Sequence, residues 1–362
     1  MNAHRLFSLR PHLPRLSPSE IGLWIAGALP LLLVALLLSA LFAASPARAS
    51  DVACHGENLL VAMEKEKPEE LAKIRAEAAK VPNGQGIFWK VEKEGLKPSY
   101  LLGTMHVTDP RVLTMPKGAR EAAAAADVVV IESDEILDEK KAAASLLMHP
   151  ELTMFTDGKS VKDHLDAAEL EKLEAGLKER GLALGAVARM KPWILASFVA
   201  LPACELSRKA AGASFLDKQI AEDAVKAGKP IAGLETLVEQ LEAMSDLPVD
   251  FHFKALIETI ALGDKMEDVI ETMTELYLAG EIGMTMPMLK AVAPTSGEDE
   301  SAYAAFETRI VRDRNLVMAE GSKKHLEKGN AFIAVGALHL PGEEGLVELI
   351  RKQGYTVTRI DG

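Results

Sequence analysis

Tyr100-Leu101-Leu102-Gly103-Thr104-Met105-His106 is an apolar strand that reaches a glycine and presents a histidine three residues later. Ala334-Val335-Gly336-Ala337-Leu338-His339 repeats the pattern near the other end of the chain. A buried strand that breaks at a sheet edge delivers its next side chains to the place where the active sites of α/β proteins gather. In both stretches the glycine is expected to let the backbone turn and release the histidine. The pair reads as two related half-sites facing each other across one shared site.

Outward from these motifs the chain alternates between β and helical patterns. Gln85–Val91 and Ser99–Gly103 flank the charged turn Glu92–Pro98 and read as a hairpin. Pro116 opens an alanine-rich helix, and Asp127-Val-Val-Val-Ile-Glu132 is a continuous β-branched run, as in a buried strand. Residues 136–228 are mainly helical, with Gly181 and Gly228 as C-terminal stops and Lys191-Pro192-Trp193 as a helix start. Lys229–Glu235 is a short strand that, like the earlier one, ends on a glutamate. Residues 236–328 are again mainly helical, interrupted by a Met-, Pro- and Gly-rich loop over Gly283–Glu298. Strand Ala331–Gly336, a helix over Glu343–Gln353 and strand Thr356–Ile360 close the chain. This order predicts an α+β, α/β-like fold: a central mixed β-sheet from two related halves, with a long helical insertion forming a cap.

The first 49 residues stand apart. Arg5, Arg10 and Arg15 precede an apolar run over Ile21–Ala44, and Ala47-Arg48-Ala49 supplies small residues before Ser50. That is the form of a secretory signal peptide. The run of roughly 24 residues is also long enough for an uncleaved membrane anchor. Either way residues 50–362 are expected as one exported domain, periplasmic or extracellular, touching a membrane only through that segment. Removing its four Arg and one Glu takes the net charge from −12 to −15, which excludes the basic footprint of a nucleic-acid binder. Cys54 and Cys204 are the only cysteines, and in an exported chain they are expected to pair.

Two imidazoles and one or two carboxylates converging at a sheet edge make a nitrogen/oxygen site for a divalent metal. Each Gly-x-x-His alone is weak, because a lone histidine past a strand is usually solvated or structurally hydrogen-bonded. Glu132 could likewise end its strand in solvent, Glu235 could cap a helix, and Arg314 could be an ordinary ion-pair partner. Met284, Met286 and Met288 alternate in a spacing suited to copper(I), although methionines more often pack against neighbours. His149, His164, His252 and His325 lack carboxylate companions and are expected at the surface. There is no H-E-x-x-H, P-loop, Rossmann fingerprint or G-x-S-x-G elbow.

The chain resembles the TraB/GumN family, to which the Tiki membrane-anchored metalloproteases are related. The resemblance rests on Tyr100–His106, Val-Val-Ile-Glu132, Lys191-Pro192-Trp193, Gly233-Leu234-Glu235-Thr236 with Gln240, Arg314-Asn315, and Val335-Gly-Ala-Leu-His339-Leu-Pro-Gly342. It implies a two-His site with glutamates that binds manganese or cobalt, with zinc as another candidate, and in the Tiki branch cleaves peptides. Carried onto this chain, His106, Glu235 and His339 are the candidate metal ligands. Glu132 would be base or second ligand, Arg314 would steady an oxyanion or substrate carboxylate, and Asn315 would be its polar neighbour. The expected function is metal-dependent hydrolysis of a peptide or protein substrate. The rival expectations are a non-catalytic peptide-sequestering protein and, more distantly, a haem- or iron-binding protein.

Overall fold

A computed structural model describes residues 54–292 and 300–361. The expected signal or anchor over residues 1–49 and part of the expected Met-rich loop lie outside them. Helices α1 (Leu59–Glu66) and α2 (Pro68–Ala78) precede β1 (Phe88–Glu92), β2 (Ser99–Thr104), α3 (Ala119–Ala125) and β3 (Val128–Ile131). The first helical stretch holds α4 (Glu139–Met148), α5 (Ala167–Glu179), α6 (Leu184–Val187), α7 (Pro192–Val199), α8 (Ala203–Ala210) and α9 (Leu216–Lys226). After β4 (Ile231–Gly233) come α10 (Leu237–Ser245), α11 (Val249–Leu262), α12 (Lys265–Leu278), α13 (Thr285–Val292), α14 (Glu300–Glu307) and α15 (Asp313–Leu326). β5 (Ala331–Gly336), α16 (Leu346–Lys352) and β6 (Thr356–Arg359) complete the order.

The six strands form one mixed sheet in the order β4-β3-β5-β2-β1-β6. β4, β3, β5 and β2 run parallel, and β1 is antiparallel to both β2 and β6. Alternation along β5 explains why the strand is apolar throughout. Ile333 and Val335 face α15 and α16, while Phe332 and Ala334 face α3 and α9. Both faces are therefore covered, as a parallel sheet requires.

The helical cap has its own core, in which Leu173, Leu177, Leu195, Phe253 and Leu256 pack together. Trp193 pins α7 by donating its indole N–H to the Leu152 carbonyl at 2.9 Å, and the Lys191 ammonium lies 4.4 Å from the centre of the Phe155 ring. Two histidines expected at the surface belong to this core. His164 stacks on Phe155 and Phe253, and buried His252 shares a 2.8 Å hydrogen bond with the Met244 carbonyl. An imidazole has two apolar faces, so one local acceptor suffices to let it go inside.

The expected Met-rich loop is partly helical. Thr285–Val292 is α13, and Met284 and Met288 are buried against Leu71 and Ile74 of α2. These thioethers serve as packing. α1 and α2 carry little apolar periodicity in the sequence: in α1 the apolar residues run consecutively over Leu59–Met63, and in α2 only Leu71 and Ile74 are large and apolar.

Cys54 and Cys204 form a disulfide with a Cα–Cα distance of 5.4 Å. It closes a sequence separation of 150 residues and ties the N-terminal segment to α8. The same segment is held on α12, where Glu57 N–H donates to Asp268 and Leu59 N–H to Thr272. Cys204→Ser is expected to lower stability to urea by about 2–5 kcal/mol without changing the sheet; equal unfolding midpoints for oxidised wild type and variant would refute this. Gly103 is also placed by packing. A Cβ there would lie 2.7 Å from Leu340 Cδ1 and 3.0 Å from Ala337 Cα. Gly103→Ala should therefore destabilise by about 1–3 kcal/mol in the same assay.

Candidate functional site

Four parallel strands end at one edge of the sheet, and each delivers a polar side chain there. Thr104 ends β2 and leads to His106; Glu132 follows β3; Glu235 follows β4 by two residues; a single 3-10 turn, Ala337–His339, follows β5. β2 and β5 are neighbours, with Gly103 opposite Val335 and Thr104 opposite Gly336. The two Gly-x-x-His motifs thus lie side by side on adjacent parallel strands, not on facing walls. Neither glycine needs a left-handed backbone. Gly336 has φ −51° and ψ 134°, open to any residue, but a Cβ there would lie 3.1 Å from Glu132 Oε1 and 3.4 Å from His339 Cδ2. Its N–H donates to Glu132 Oε1 at 2.6 Å. Both glycines are there because neighbours approach closely.

His106, Glu132, Arg314 and His339 line a cleft of about 300 Å³, walled by Met273, Tyr277, Ile282, Ile310 and Val311. Tyr277 donates its hydroxyl to the Gly103 carbonyl at 2.9 Å, which ties α12 to β2 beneath the cleft. A π-helical turn over Thr308–Arg312 leads into α15 just before Arg314, and two of its residues, Ile310 and Val311, belong to the cleft wall.

Arg314 joins the two glutamates. Its Nη2 is 2.7 Å from both Glu132 Oε2 and Glu235 Oε2, and its Nε donates to Glu235 as well. Gln240 adds a 3.3 Å hydrogen bond to Glu132 Oε2. Glu132 and Glu235 are both buried, so neither simply ends its strand in solvent. The cap of α10 is Thr236, paired with Glu239 in a capping box, which leaves Glu235 to Arg314 alone. Glu235 is absent from the lining of the cleft and stands behind the guanidinium. With Nε and Nη2 committed to carboxylates and Nη1 3.4 Å from the Ile310 carbonyl, Arg314 holds Glu132 in place more than it reaches outward.

Asn315 fixes His339. Its amide Nδ2 donates to the Glu344 carbonyl at 2.8 Å, so Oδ1 is the atom left to accept from His339 Nδ1–H at 2.7 Å. The Nε2 lone pair of His339 is thereby turned towards Glu132 Oε1, 3.8 Å away. His106 is half exposed, and its Nε2 lies 3.3 Å from Asp217 Oδ2. Asp217 is buried in the first turn of α9, and its other oxygen accepts from the Thr104 hydroxyl at 2.7 Å. An Asp opening a helix reads from sequence as a capping or dipole residue; only the fold brings it under His106.

Burial works against a charge on His106, but Asp217 outweighs it and the pKa is pushed up to about 9. Burial dominates at His339, where it, with Arg314 and His106, outweighs Glu132 and pushes the pKa down to about 4. Burial would raise Glu132, but the charges of His339, His106 and Arg314 and the Gly336 N–H hold it down to about 2. The histidines therefore give opposite slopes to stability against pH in the metal-free protein. A depressed His339 loses stability as pH falls from 6.5 towards 4, because the unfolded chain binds the proton first. A raised His106 contributes fully below pH 6.5 and loses its contribution as pH rises to about 9, less steeply for its exposure. His339→Gln should flatten the acid limb and His106→Gln the alkaline limb of urea midpoints measured from pH 4 to 9; limbs that persist would contradict these assignments.

Two imidazoles and a carboxylate on one cleft are the donor chemistry of a divalent cation. Among the described residues, no three His, Cys, Asp or Glu side chains stand close enough together to hold an ion as they are placed. His339 Nε2 and Glu132 Oε1 lie 3.8 Å apart, and His106 stands on the same cleft.

Among the described residues, no helix is long and apolar enough to cross a membrane. No curated protein and no solved structure matches the chain. The TraB/PrgY/gumN family model matches residues 87–359, a stretch that holds all six strands and both Gly-x-x-His motifs. The chain therefore belongs to the TraB/PrgY/gumN family.

Proposed function

We propose that this chain is an exported, metal-dependent hydrolase that cleaves peptide bonds in the cleft at the ends of β2, β3 and β5. One observation carries the reading: Asn315 fixes the tautomer of His339, so that a buried, neutral imidazole turns its lone pair to the cleft beside the Glu132 carboxylate. That is how a metal-ligating histidine is prepared, by a hydrogen bond to its other ring nitrogen. The Cys54–Cys204 disulfide and the basic, apolar and Ala-x-Ala leader support export.

His339, Glu132 and His106 would hold the cation, manganese, cobalt or zinc. It would supply Lewis acidity and a water of lowered pKa. Arg314 keeps Glu132 ionised and aimed, and Glu235 balances the arginine from behind. Asp217 anchors His106 at the rim. Met273, Tyr277 and Ile282 give the cleft apolar walls, which strengthen the electrostatics inside. Glu132, not Glu235, stands next to the histidines, because Arg314 separates Glu235 from the cleft.

A second reading, a peptide binder that does not cut, draws on the commitment of both glutamates to Arg314. Calorimetric titration with Mn²⁺, Co²⁺ and Zn²⁺ separates the two. Wild type is expected to bind one ion, His339→Ala to lose it, and Asn315→Ala to weaken it by about 10–100-fold. Cleavage of a synthetic peptide mixture should require the ion and vanish in His339→Ala with unchanged circular dichroism. A wild-type protein that binds none of the three ions sinks the hydrolase reading.

A further inference from the structure

The segment that precedes α1 crosses two helices, and both of them hold the loop after β2. Cys54 is bonded to Cys204 in α8. One residue on, His55 N–H donates to Glu267 of α12 at 3.1 Å, and Glu57 N–H donates to Asp268 at 2.8 Å. Gly56 lies so close to α12 that a Cβ there would meet the Glu267 carbonyl and stand 2.9 Å from Glu271 Cβ. The segment is a strap from α8 to α12.

Each end of the strap sits beside a clamp on the loop. At α8, Glu205 is the neighbour of Cys204, and its Oε2 accepts from both the N–H and the hydroxyl of Thr108 at 2.8 Å. Glu205 and Thr108 are both buried, and Thr108 stands two residues past His106. At α12, Arg111 reaches Glu271 at 2.6 Å and Glu275 at 2.8 Å, and Glu271 is the residue against which Gly56 packs.

α8 depends on the disulfide for its start. The helix has eight residues, and no side chain caps its N-terminus. A helix this short does not hold its shape by propensity. Cys204 and Glu205 both lie in its first turn, so the bond that anchors one places the other. On α12 the His55 and Glu57 hydrogen bonds are exposed, where water competes for the same groups. The two sulfurs also differ in access. Cys204 is buried and Cys54 is half-buried, so an attacking thiolate meets Cys54 first.

We propose that the Cys54–Cys204 disulfide is a redox-sensitive switch on the placement of His106. A thiolate of an external dithiol attacks Cys54 Sγ, the S–S bond breaks, and Cys204 leaves as a thiolate and takes a proton. The second thiol of the reductant then displaces Cys54, which takes the other proton. The reductant ends as a disulfide, and its electron pair ends on the protein's two thiols. With the bond open, the first turn of α8 frays, Glu205 releases Thr108, and the His106 loop loosens while the sheet stays folded. The switch rests on the reading of His106 as part of the site, not on peptide cleavage.

The test is amide hydrogen exchange read by mass spectrometry in EDTA. Oxidised wild type is compared with wild type reduced by dithiothreitol and with Cys54→Ser. Residues 106–112 are expected to exchange about tenfold faster in the two samples that lack the disulfide, with β5 still protected. Thr108→Val, with the disulfide intact, should speed exchange over the same stretch and leave residues 54–66 unchanged. Acceleration confined to residues 54–66, equal acceleration in β5, or an unchanged loop in Thr108→Val overturns the switch. Mn²⁺ titration of the oxidised protein is read separately: absence of binding removes the hydrolase reading and leaves the exchange result standing.

Discussion

Two buried carboxylates from neighbouring strands need one cation, and the arrangement of the site follows from that need. Glu132 and Glu235 leave β3 and β4 side by side, and both are buried. Arg314 meets each at 2.7 Å. Removing one member of such a buried set strands the others and typically costs about 3–5 kcal/mol. A π-helical turn leads into α15 immediately before Arg314. Asn315, the next residue, then falls beside His339. One stretch of helix thus fixes the carboxylate on one strand and the tautomer on another.

The sheet does the rest by topology. Four parallel strands end at the same edge, so residues far apart in sequence arrive together without long side chains having to search. Close packing between β2 and the turn after β5 leaves no room for a Cβ at Gly103, and the carboxylate of Glu132 occupies the space a side chain at Gly336 would take. The loop after β2 is also clamped from outside. Buried Glu205 accepts from both the N–H and the hydroxyl of Thr108, and Arg111 reaches Glu271 and Glu275 on α12. His106 therefore sits on a strap held at two points, and one clamp is the neighbour of Cys204 in the disulfide.

Much of this was legible in order and type. The continuous β-branched run before Glu132 and the glycine-ended strand before His339 are visible because buried parallel strands are apolar without alternation. The helical stretches over 136–228 and 236–328 showed through glycine stops and a Lys-Pro-Trp start. α1 and α2 stayed hidden because the apolar residues of α1 run consecutively over Leu59–Met63, α2 has only Leu71 and Ile74 as large apolar residues, and both are packed by Met284, Met288 and Leu276 from far along the chain. Asp217 stayed hidden because its role depends on a histidine 111 positions earlier, and nothing local distinguishes it from any acidic residue that opens a helix.

The sequence by itself determined the mixed sheet with helical stretches between its strands and the pairing of Cys54 with Cys204, and it offered His106, Glu132, Glu235 and His339 as residues at strand ends. Those are carried by composition, periodicity or motif, which are properties of short stretches; Arg314 and Asn315 came only with the family resemblance. Only the tertiary structure decided that the two histidines are neighbours and not opposites, that Glu132 faces the cleft while Glu235 stands behind Arg314, and that Asn315 belongs to His339. Those are questions of which strand lies next to which and which atoms of a side chain are already bonded. Strand order and hydrogen-bond partners are set by packing between distant segments, and no short stretch carries that information.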